Sequence, residues 1–422
     1  MQQRRPSDPH PATGAEEVPE VAPEGAPEGA PDRVPGADPG GRRWPGLDLL
    51  RALAIVLVMA SHWMNNLPYF FGRPSPAYGP YAGVVGVGLF FALSGFLIGQ
   101  ILLRIAAAGP TPGDFGRFIA RRWLRTLPLY YVMVALLILV FPPSYDVLRT
   151  ALRAATLTQN FCQPMPPEYW FAVSWSLTIE EWFYLGFGAL FLGLAGRLGS
   201  GRAMAVSLLA FLLTPLALRA AQPDFFDLAR GLDNEVIYRI DAIAFGVAAA
   251  WAWQRRAPLF TRPWLAMSAG VLGAGVVLWS WFWPSPLPAR WYAVFIHDIY
   301  MAGCALLLPA ALRMPALPRP LAAPIGWLAA RSYALYLFHY TVMVDFAQQR
   351  LLGPRLIGPV TATLISVIGP FIAAEVSWRL LEHPVLRRRP DQTYGGRPRN
   401  RTDHAAPARA IAASTAPATP AP

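Results

Sequence analysis

Long apolar stretches recur along this chain of 422 residues, and they restrict its fold more than any other feature. Each runs for about 18 to 25 residues, which lets a helix rising 1.5 Å per residue cross a hydrocarbon core of about 30 Å. Hydrophobic residues make up 54% of the sequence and charged residues only 14%, a balance too apolar for a soluble chain. The sequence therefore predicts an all-α, polytopic integral membrane protein of about ten transmembrane helices.

Ten segments have the length and hydropathy of membrane-spanning helices. With the N-terminus on the cytoplasmic side, 17 loop arginines fall inside and 9 outside. Because positively charged loops favour the cytoplasm, this bias predicts an N-in, C-in topology with an even number of spans. The predicted spans are 47–66, 82–104, 126–142, 170–194, 203–220, 237–254, 264–283, 293–312, 329–349 and 357–381.

Two terminal segments rich in proline and alanine flank the predicted membrane domain, which covers residues 46–386. Residues 1–45 and 387–422 contain few large apolar side chains, so we expect disordered cytoplasmic tails. No cleavable signal peptide pattern is visible, and the first span is expected to direct insertion itself. The outer segment 143–169 contains QNFCQPMPPEYW, which predicts a structured flap at the membrane interface.

The formal net charge of +11 comes from arginine alone, because the sequence contains no lysine. The arginines lie in short loops rather than in one basic patch with exposed aromatic residues, which predicts no nucleic-acid partner. Cys162 and Cys304 have neither a disulfide framework nor a metal-ligand spacing, so we expect two free thiols. No HExxH motif or cluster of His and Cys occurs, and we predict no metal site.

The first predicted span, GLDLLRALAIVLVMASHW, carries Arg51 near its cytoplasmic start and His62 further along. His62 follows Arg51 by eleven positions, or about three helical turns, so the two side chains share a face about 16 Å apart. A cation at the inner mouth suits the phosphates of a nucleotide-linked donor, and a deeper imidazole suits its reactive end. The structural alternatives are an arginine that snorkels to the interface and a histidine that hydrogen-bonds a neighbouring helix.

A basic cluster, FIARRWLRTLPLYY, lies just before the third span. Arg122 and Arg125 are three residues apart and so face the same way on a helix. This pattern indicates an anion site. A topology anchor with a belt of Trp and Tyr would give almost the same pattern and is the alternative.

The segment SWSLTIEEWFYL opens the fourth span and places Glu180 and Glu181 about 15 Å from the outer end of the helix. A carboxylate at that depth should face a polar cavity and pair with a cation or imidazole, or else be protonated. Consecutive helical residues point about 100° apart, so only one of the two is expected to line a cavity. We favour Glu180.

Two later segments add ionisable candidates. YRIDAIAFG, at the start of the sixth span, supplies Arg239 and Asp241, either as a structural ion pair or as part of an acceptor site. SYALYLFHY, in the ninth span, places His339 near the middle of the membrane. A functional histidine and a structural one that bridges a gap are the two interpretations of that position.

Together these segments resemble the acyltransferase 3 family of membrane O-acyltransferases. The resemblance covers roughly residues 44 to 388 and includes the Arg51 and His62 pair, FFALSGFLIG around Ser94, RRWLR, SWSLTIEEWFYL, RIDA and SYALYLFHY. It implies an acyl-CoA donor, acylation of a hydroxyl on a sugar, glycan, lipid or secondary metabolite, and an essential role for Arg51 and His62. Some members of the family carry an additional periplasmic esterase-like domain, and here we expect the membrane domain to handle the acceptor alone.

We therefore expect acyl-CoA, as a co-substrate rather than a tightly bound cofactor, to place its phosphates on Arg51, Arg122 and Arg125. His62 would act as general base on the acceptor hydroxyl, with Glu180 or Asp241 orienting the imidazole, and a transient acyl-histidine is the alternative. The expected acceptor-side or supporting residues are Ser94, Arg239, Asp241 and His339.

A transporter or flippase is the alternative from a different class, with buried histidine and glutamate residues forming a proton relay or substrate path. An inverted repeat would favour it, and none is visible. A structural or receptor-like membrane protein is the third interpretation. The lack of lysine and the abundance of Ala, Arg, Pro and Gly indicate a GC-rich bacterial source, and hence the bacterial plasma membrane with its lipid as surroundings.

Overall fold

The computed structural model describes residues 44–76, 79–161, 170–222, 234–282 and 289–388. All regular secondary structure in these ranges is helical, which confirms the all-α prediction for this part of the chain. The first helix begins at Pro45 and the last ends at Arg387, close to the limits predicted for the membrane domain. The remaining residues of the two predicted tails, and Cys162 in the predicted outer flap, lie outside the described residues.

The helices alternate between long apolar ones and short connecting ones. In chain order they are α1 (Pro45–Asn65), α2 (Leu67–Phe71), α3 (Gly79–Ala107), α4 (Pro112–Val140), α5 (Val147–Ala155), α6 (Ser174–Ala221), α7 (Val236–Arg239), α8 (Ala242–Gln254), α9 (Pro258–Thr261), α10 (Pro263–Phe282), α11 (Ala289–Leu306), α12 (Leu308–Leu312), α13 (Arg319–Tyr340), α14 (Pro359–Ser377) and α15 (His383–Arg387). Two π-helical segments, Thr341–Leu352 and Trp378–Glu382, continue α13 and α14.

Within the described residues, 8 helical segments are long and apolar enough to cross a membrane by length and composition. The protein is therefore a multi-pass membrane protein. The predicted number was about ten, and two differences explain the change. Two predicted spans fall on the single helix α6. The predicted span 329–349 falls on α13 and the π-helical segment after it, and neither of these is among the 8. The N-in, C-in topology stays a prediction.

Helix α6 covers 48 residues, but its chain reverses at Gly199, where φ is 75° and ψ is 154°. Phe211, beyond this point, packs against Phe183 with ring centroids 5.3 Å apart. In a straight helix these two residues would be about 42 Å apart along the axis. Gly199 thus divides α6 into two antiparallel legs, one for each of the predicted spans 170–194 and 203–220.

Helix α3 lies at the centre of the packing, against α1, α6, α8 and α11. Its contact with α8 depends on residues that have no side chain. A Cβ atom on Gly95 would lie 2.1 Å from the carbonyl oxygen of Ile243, and one on Gly246 would lie 2.2 Å from that of Ala92. This close approach brings α3, with Ser94, into the interior of the helical bundle.

Two large hydrophobic clusters fill the interior. The first is built mainly on α3, α6 and α8, and the second mainly on α4 and α13. Phe90 of α3 and Tyr336 of α13 pack against both clusters, with their rings 6.1 Å apart. They therefore mark the seam between the two halves of the core, and the cavity described below is lined by both residues.

Candidate functional site

A cavity of about 110 Å³ opens between α1, α3, α4, α6 and α13. Most of its wall is apolar, but one region carries charged and hydroxyl groups. Five residues selected from the sequence meet in this wall although they come from four helices. They are Arg51, Ser94, Arg122, Arg125 and Glu180.

Three of these side chains form a cation cluster, which we define as Arg51, Arg122 and Arg125. Arg51 is only 5% exposed, and its Nη1 atom lies 3.4 Å from Asp48 Oδ1, at the long limit for a hydrogen bond. The guanidinium of Arg122 lies 5.7 Å from the centre of the Tyr184 ring. Within the described part of the chain, Arg122 and Arg125 form no salt bridge. The cluster therefore has unused capacity for an anion.

Glu180 lines the same cavity as the cation cluster and belongs to a short chain of hydrogen bonds. The Tyr184 hydroxyl donates to Glu180 Oε2 at 3.0 Å. The Ser94 hydroxyl lies 2.5 Å from the same tyrosine oxygen and can donate to it. Tyr184 follows Glu180 by one helical turn, which explains why both side chains point into the same cavity. Glu180 thus lies beside the arginines rather than deeper in the protein with the histidines.

Glu181 points elsewhere, as the angle between consecutive helical residues requires. It is 2% exposed and accepts a hydrogen bond of 2.8 Å from the Thr126 hydroxyl of α4. This contact fastens α6 to α4 just behind the cation cluster. Glu181 is therefore part of the scaffold of the site.

His62 and His339 form a direct pair between α1 and α13. His339 Nε2 lies 3.0 Å from His62 Nδ1, and the ring centroids are 5.0 Å apart. His339 Nδ1 is also 3.0 Å from the carbonyl oxygen of Leu335. Helices α1 and α13 pack along much of their length, which places these two histidines side by side although they are 277 residues apart in sequence.

Tyr336 connects the cavity to this histidine pair. It lines the cavity, its hydroxyl forms a 2.7 Å hydrogen bond with the Ser176 hydroxyl, and its ring lies 5.8 Å from that of His339. Neither His62 nor His339 is among the residues that line the cavity, so Tyr336 is the residue that adjoins both the cavity and the histidine pair. Arg51 and His62 lie on the same face of α1, so this helix contributes one residue to the cluster and one to the pair.

Arg239 and Asp241 lie in a different place, in a buried ionic cluster between α6, α7, α8 and α11. Asp241 pairs with Arg219 at 2.7 Å, and Arg219 also pairs with Asp298. Arg239 donates to the Tyr300 hydroxyl at 2.5 Å and contacts His297. Neither Arg239 nor Asp241 lines the cavity. Asp241 thus forms its ion pair with Arg219, on the second leg of α6. This pair joins α6 to the start of α8.

The orientation of His62 also differs from the expectation. We expected Glu180 or Asp241 to hold the imidazole, but the side chain hydrogen-bonded to it is His339. The reason is helix packing: α13 lies against α1, whereas Asp241 is held by Arg219 and Glu180 by Tyr184. Sequence reasoning also missed Tyr184, Tyr336 and Arg219. The sequence does contain a signal for Tyr184, because a tyrosine one helical turn after Glu180 shares its face. Arg219 has no such signal, because it lies at the end of an apolar stretch like other loop arginines.

The fold and the site define a multi-pass membrane protein in which a partly buried cation cluster lines a cavity and a histidine pair lies close to it. The sequence model of the acyltransferase 3 family, described as an acyltransferase domain, matches residues 44–375. The chain therefore belongs to this family, and the resemblance found in its motifs is confirmed. No solved structure gives a significant match to the chain.

Several relatives of known name are similar to most of this chain. Peptidoglycan O-acetyltransferase OatA of Listeria monocytogenes is 26% identical over 375 residues, which cover 81% of this chain and 56% of the relative. Putative peptidoglycan O-acetyltransferase YrhL of Bacillus subtilis is 27% identical over 382 residues, covering 81% and 54%. O-acetyltransferase OatA of Staphylococcus aureus is 26% identical over 375 residues, covering 82% and 57%. The chain thus spans little more than half the length of these relatives.

Proposed function

We propose that this protein transfers a short acyl group, acetyl in the first instance, from acyl-CoA to a hydroxyl group of a carbohydrate or secondary-metabolite acceptor. The observation that carries the proposal is the placement of the cation cluster and the histidine pair on either side of Tyr336. Arg51 belongs to the cluster and His62 to the pair, and both lie on one face of α1. Membership of the acyltransferase 3 family supports the same class of reaction.

The cation cluster is the proposed binding site for the phosphates of the donor. Coenzyme A carries its negative charges at the nucleotide end, and arginine binds phosphate through paired, charge-assisted hydrogen bonds. From the phosphates, an extended pantetheine arm would run along the seam past Tyr336. The axial distance of about 16 Å between Arg51 and His62 suits such an arm, so the thioester would lie near His62.

At the thioester, His62 is the proposed general base. Its imidazole takes the proton of the acceptor hydroxyl as that oxygen attacks the thioester carbonyl carbon. The tetrahedral intermediate then collapses, the carbon–sulfur bond breaks, and the leaving thiolate takes the proton from the imidazolium. The products are the O-acyl ester and free coenzyme A, and no oxidant, reductant or metal ion is consumed.

The first acceptor to test is a bacterial cell-wall glycan. This choice rests on the relatives, two of which carry peptidoglycan in their names. The proposed location is the bacterial plasma membrane, because a donor from the cytoplasm and a cell-envelope acceptor would meet there. The acceptor would approach the histidine pair from the side opposite to the cation cluster.

The test is release of free thiol from acetyl-, propionyl- and longer acyl-CoA by the detergent-purified protein, with and without cell-wall glycan fragments. We expect release that requires an acceptor and is lost in His62→Ala. His383→Ala is the matched control, since that ring contacts Trp378 at the end of the helical bundle. Thiol release without acceptor, in a single turnover, would favour the acyl-histidine route. No release from folded protein with any donor would contradict the proposal and favour a transporter.

A further inference from the structure

His339 is the buried ionisable residue nearest to the proposed reaction that the mechanism above does not use. It is 2% exposed, and both of its ring nitrogens have a neighbour at 3.0 Å: the Leu335 carbonyl oxygen at Nδ1 and His62 at Nε2. Two contacts at opposite corners of the ring fix its orientation. They also determine where its proton lies.

The carbonyl oxygen of Leu335 can only accept a hydrogen bond, so His339 Nδ1 must carry a hydrogen. A neutral imidazole has a single N–H, which leaves His339 Nε2 as an acceptor. The hydrogen bond to His62 then requires His62 Nδ1 to be the donor. In that tautomer His62 Nε2 holds the free lone pair, and the base nitrogen is identified.

We propose that His339 is the positioning residue of the reaction, which holds His62 in the tautomer whose Nε2 atom accepts the proton of the acceptor hydroxyl. This inference rests on the proposed function. A catalytic imidazole is commonly oriented by a carboxylate that accepts its Nδ1–H. Here His339 accepts that hydrogen bond from His62, and the Leu335 carbonyl oxygen in turn orients His339. The arrangement places a neutral group, rather than a carboxylate, behind the base.

The same contact acts after the proton has moved. When His62 becomes an imidazolium, its Nδ1–H donates a charge-assisted hydrogen bond to His339 Nε2, and such bonds are stronger than neutral ones. The Leu335 carbonyl oxygen, the negative end of that dipole, lies at the far side of His339. It polarises the His339 ring and so makes Nε2 a better acceptor for the imidazolium of His62. The proton has no exit through His339, because its other nitrogen faces only a carbonyl. It therefore stays on His62 until the leaving thiolate takes it.

Two substitutions separate this role from packing. His339→Phe keeps an aromatic ring of similar size but removes both nitrogens, whereas His339→Gln offers an amide oxygen that can accept from His62. We expect His339→Phe to lower kcat at least about 100-fold, which is the lower end of what a general base contributes. The kcat of His339→Gln should stay within about tenfold of the wild type, because its amide oxygen still accepts from His62. The KM for acyl-CoA should be unchanged in both, since the cation cluster is separate. Thermal unfolding and gel filtration in detergent would show that each variant is folded.

A double substitution gives the second readout. If His339 acts through His62, then His62→Ala combined with His339→Phe should be no slower than His62→Ala alone. Wild-type kcat in His339→Phe, or equal losses in the Phe and Gln variants, would overturn the positioning role while leaving the proposed function intact. If the wild type itself releases no thiol, the proposed function fails and this inference fails with it.

Discussion

At the scale of single residues, neighbouring positions with the same chemistry meet different surroundings. Glu180 lines the cavity and accepts from Tyr184, whereas Glu181 is buried behind it and accepts from Thr126. Helical geometry alone separates the two by about 100°. That angle predicts from the sequence that only one of them lines a cavity, whereas which one does so depends on where the neighbouring helices lie.

The cation cluster gives a prediction at this scale. Arg125→Gln should raise the KM for acetyl-CoA about tenfold or more with little change in kcat, because a charge-assisted bond to a phosphate is lost away from the reacting carbonyl. Steady-state kinetics in detergent would measure both constants. Arg197→Gln, which removes the same charge from an exposed position on α6, is the control. An equal rise in KM in the two variants would show that only net charge matters.

The partners of these residues were harder to predict than the residues themselves. Ionisable groups in apolar helices are conspicuous, so Arg51, His62, Glu180 and His339 stood out in the sequence. Which of them touch depends on which helices pack together, and no local pattern contains that information. The pairing of His62 with His339 instead of Glu180 follows from α13 lying against α1.

At the scale of the helices, missing side chains determine the closest contact. Gly95 and Gly246 face each other where α3 crosses α8, and a Cβ on either would lie within 2.2 Å of a backbone oxygen of the other helix. Backbone atoms cannot move aside as a flexible side chain can. The segment FFALSGFLIG is therefore constrained by packing at Gly95 and by the cavity at Ser94, one residue earlier.

Gly95→Ala should accordingly lower the stability of the protein by about 1–3 kcal/mol, the usual cost of overpacking a core. The measurement is thermal unfolding in detergent. Gly193→Ala is the control, because a Cβ there meets nothing within 4 Å and alanine favours a helix interior over glycine by about 1 kcal/mol. If both variants unfold at the same temperature, α3 and α8 are not held as closely as described.

The buried ionic cluster links helices in a similar way, but by charge. Arg219 is fully buried and joins the second leg of α6 to Asp241 beside α8 and to Asp298 on α11. Arg219→Met should destabilise the protein by about 3–5 kcal/mol, because it leaves two carboxylates without their cation. Adding Asp241→Asn and Asp298→Asn should restore part of that loss. Thermal unfolding of the single and triple variants would test this, and an even less stable triple variant would contradict it.

The reversal at Gly199 shows how far a hydropathy pattern can specify a helical element. Its two apolar stretches predicted separate spans at 170–194 and 203–220, and ring contacts between the legs place them side by side. The short GRLGSGR segment between them has no proline to mark the turn. Its backbone is helical apart from Gly199, so this single residue makes the turn between the two legs.

At the scale of the whole molecule, the proposed reaction depends on which side of the membrane the cation cluster faces. The arginine bias predicts that the loop after α3 is cytoplasmic and that the loop before it is outside. Donor binding from the cytoplasm requires this orientation, because Arg51 lies near the start of α1 and the basic residues of α4 follow the loop after α3. An inverted protein would present the cluster to the wrong compartment.

Single cysteines on either side of α3 would test the orientation. In a background with Cys162→Ser and Cys304→Ser, Ser75→Cys and Ala108→Cys place one exposed thiol before and one after this helix. We expect a membrane-impermeant maleimide to label Ser75→Cys in intact cells and Ala108→Cys only after permeabilisation. The cysteine-free background controls for unspecific labelling. The opposite pattern would place the cation cluster at the outer face and exclude a cytoplasmic acyl-CoA as the donor bound there.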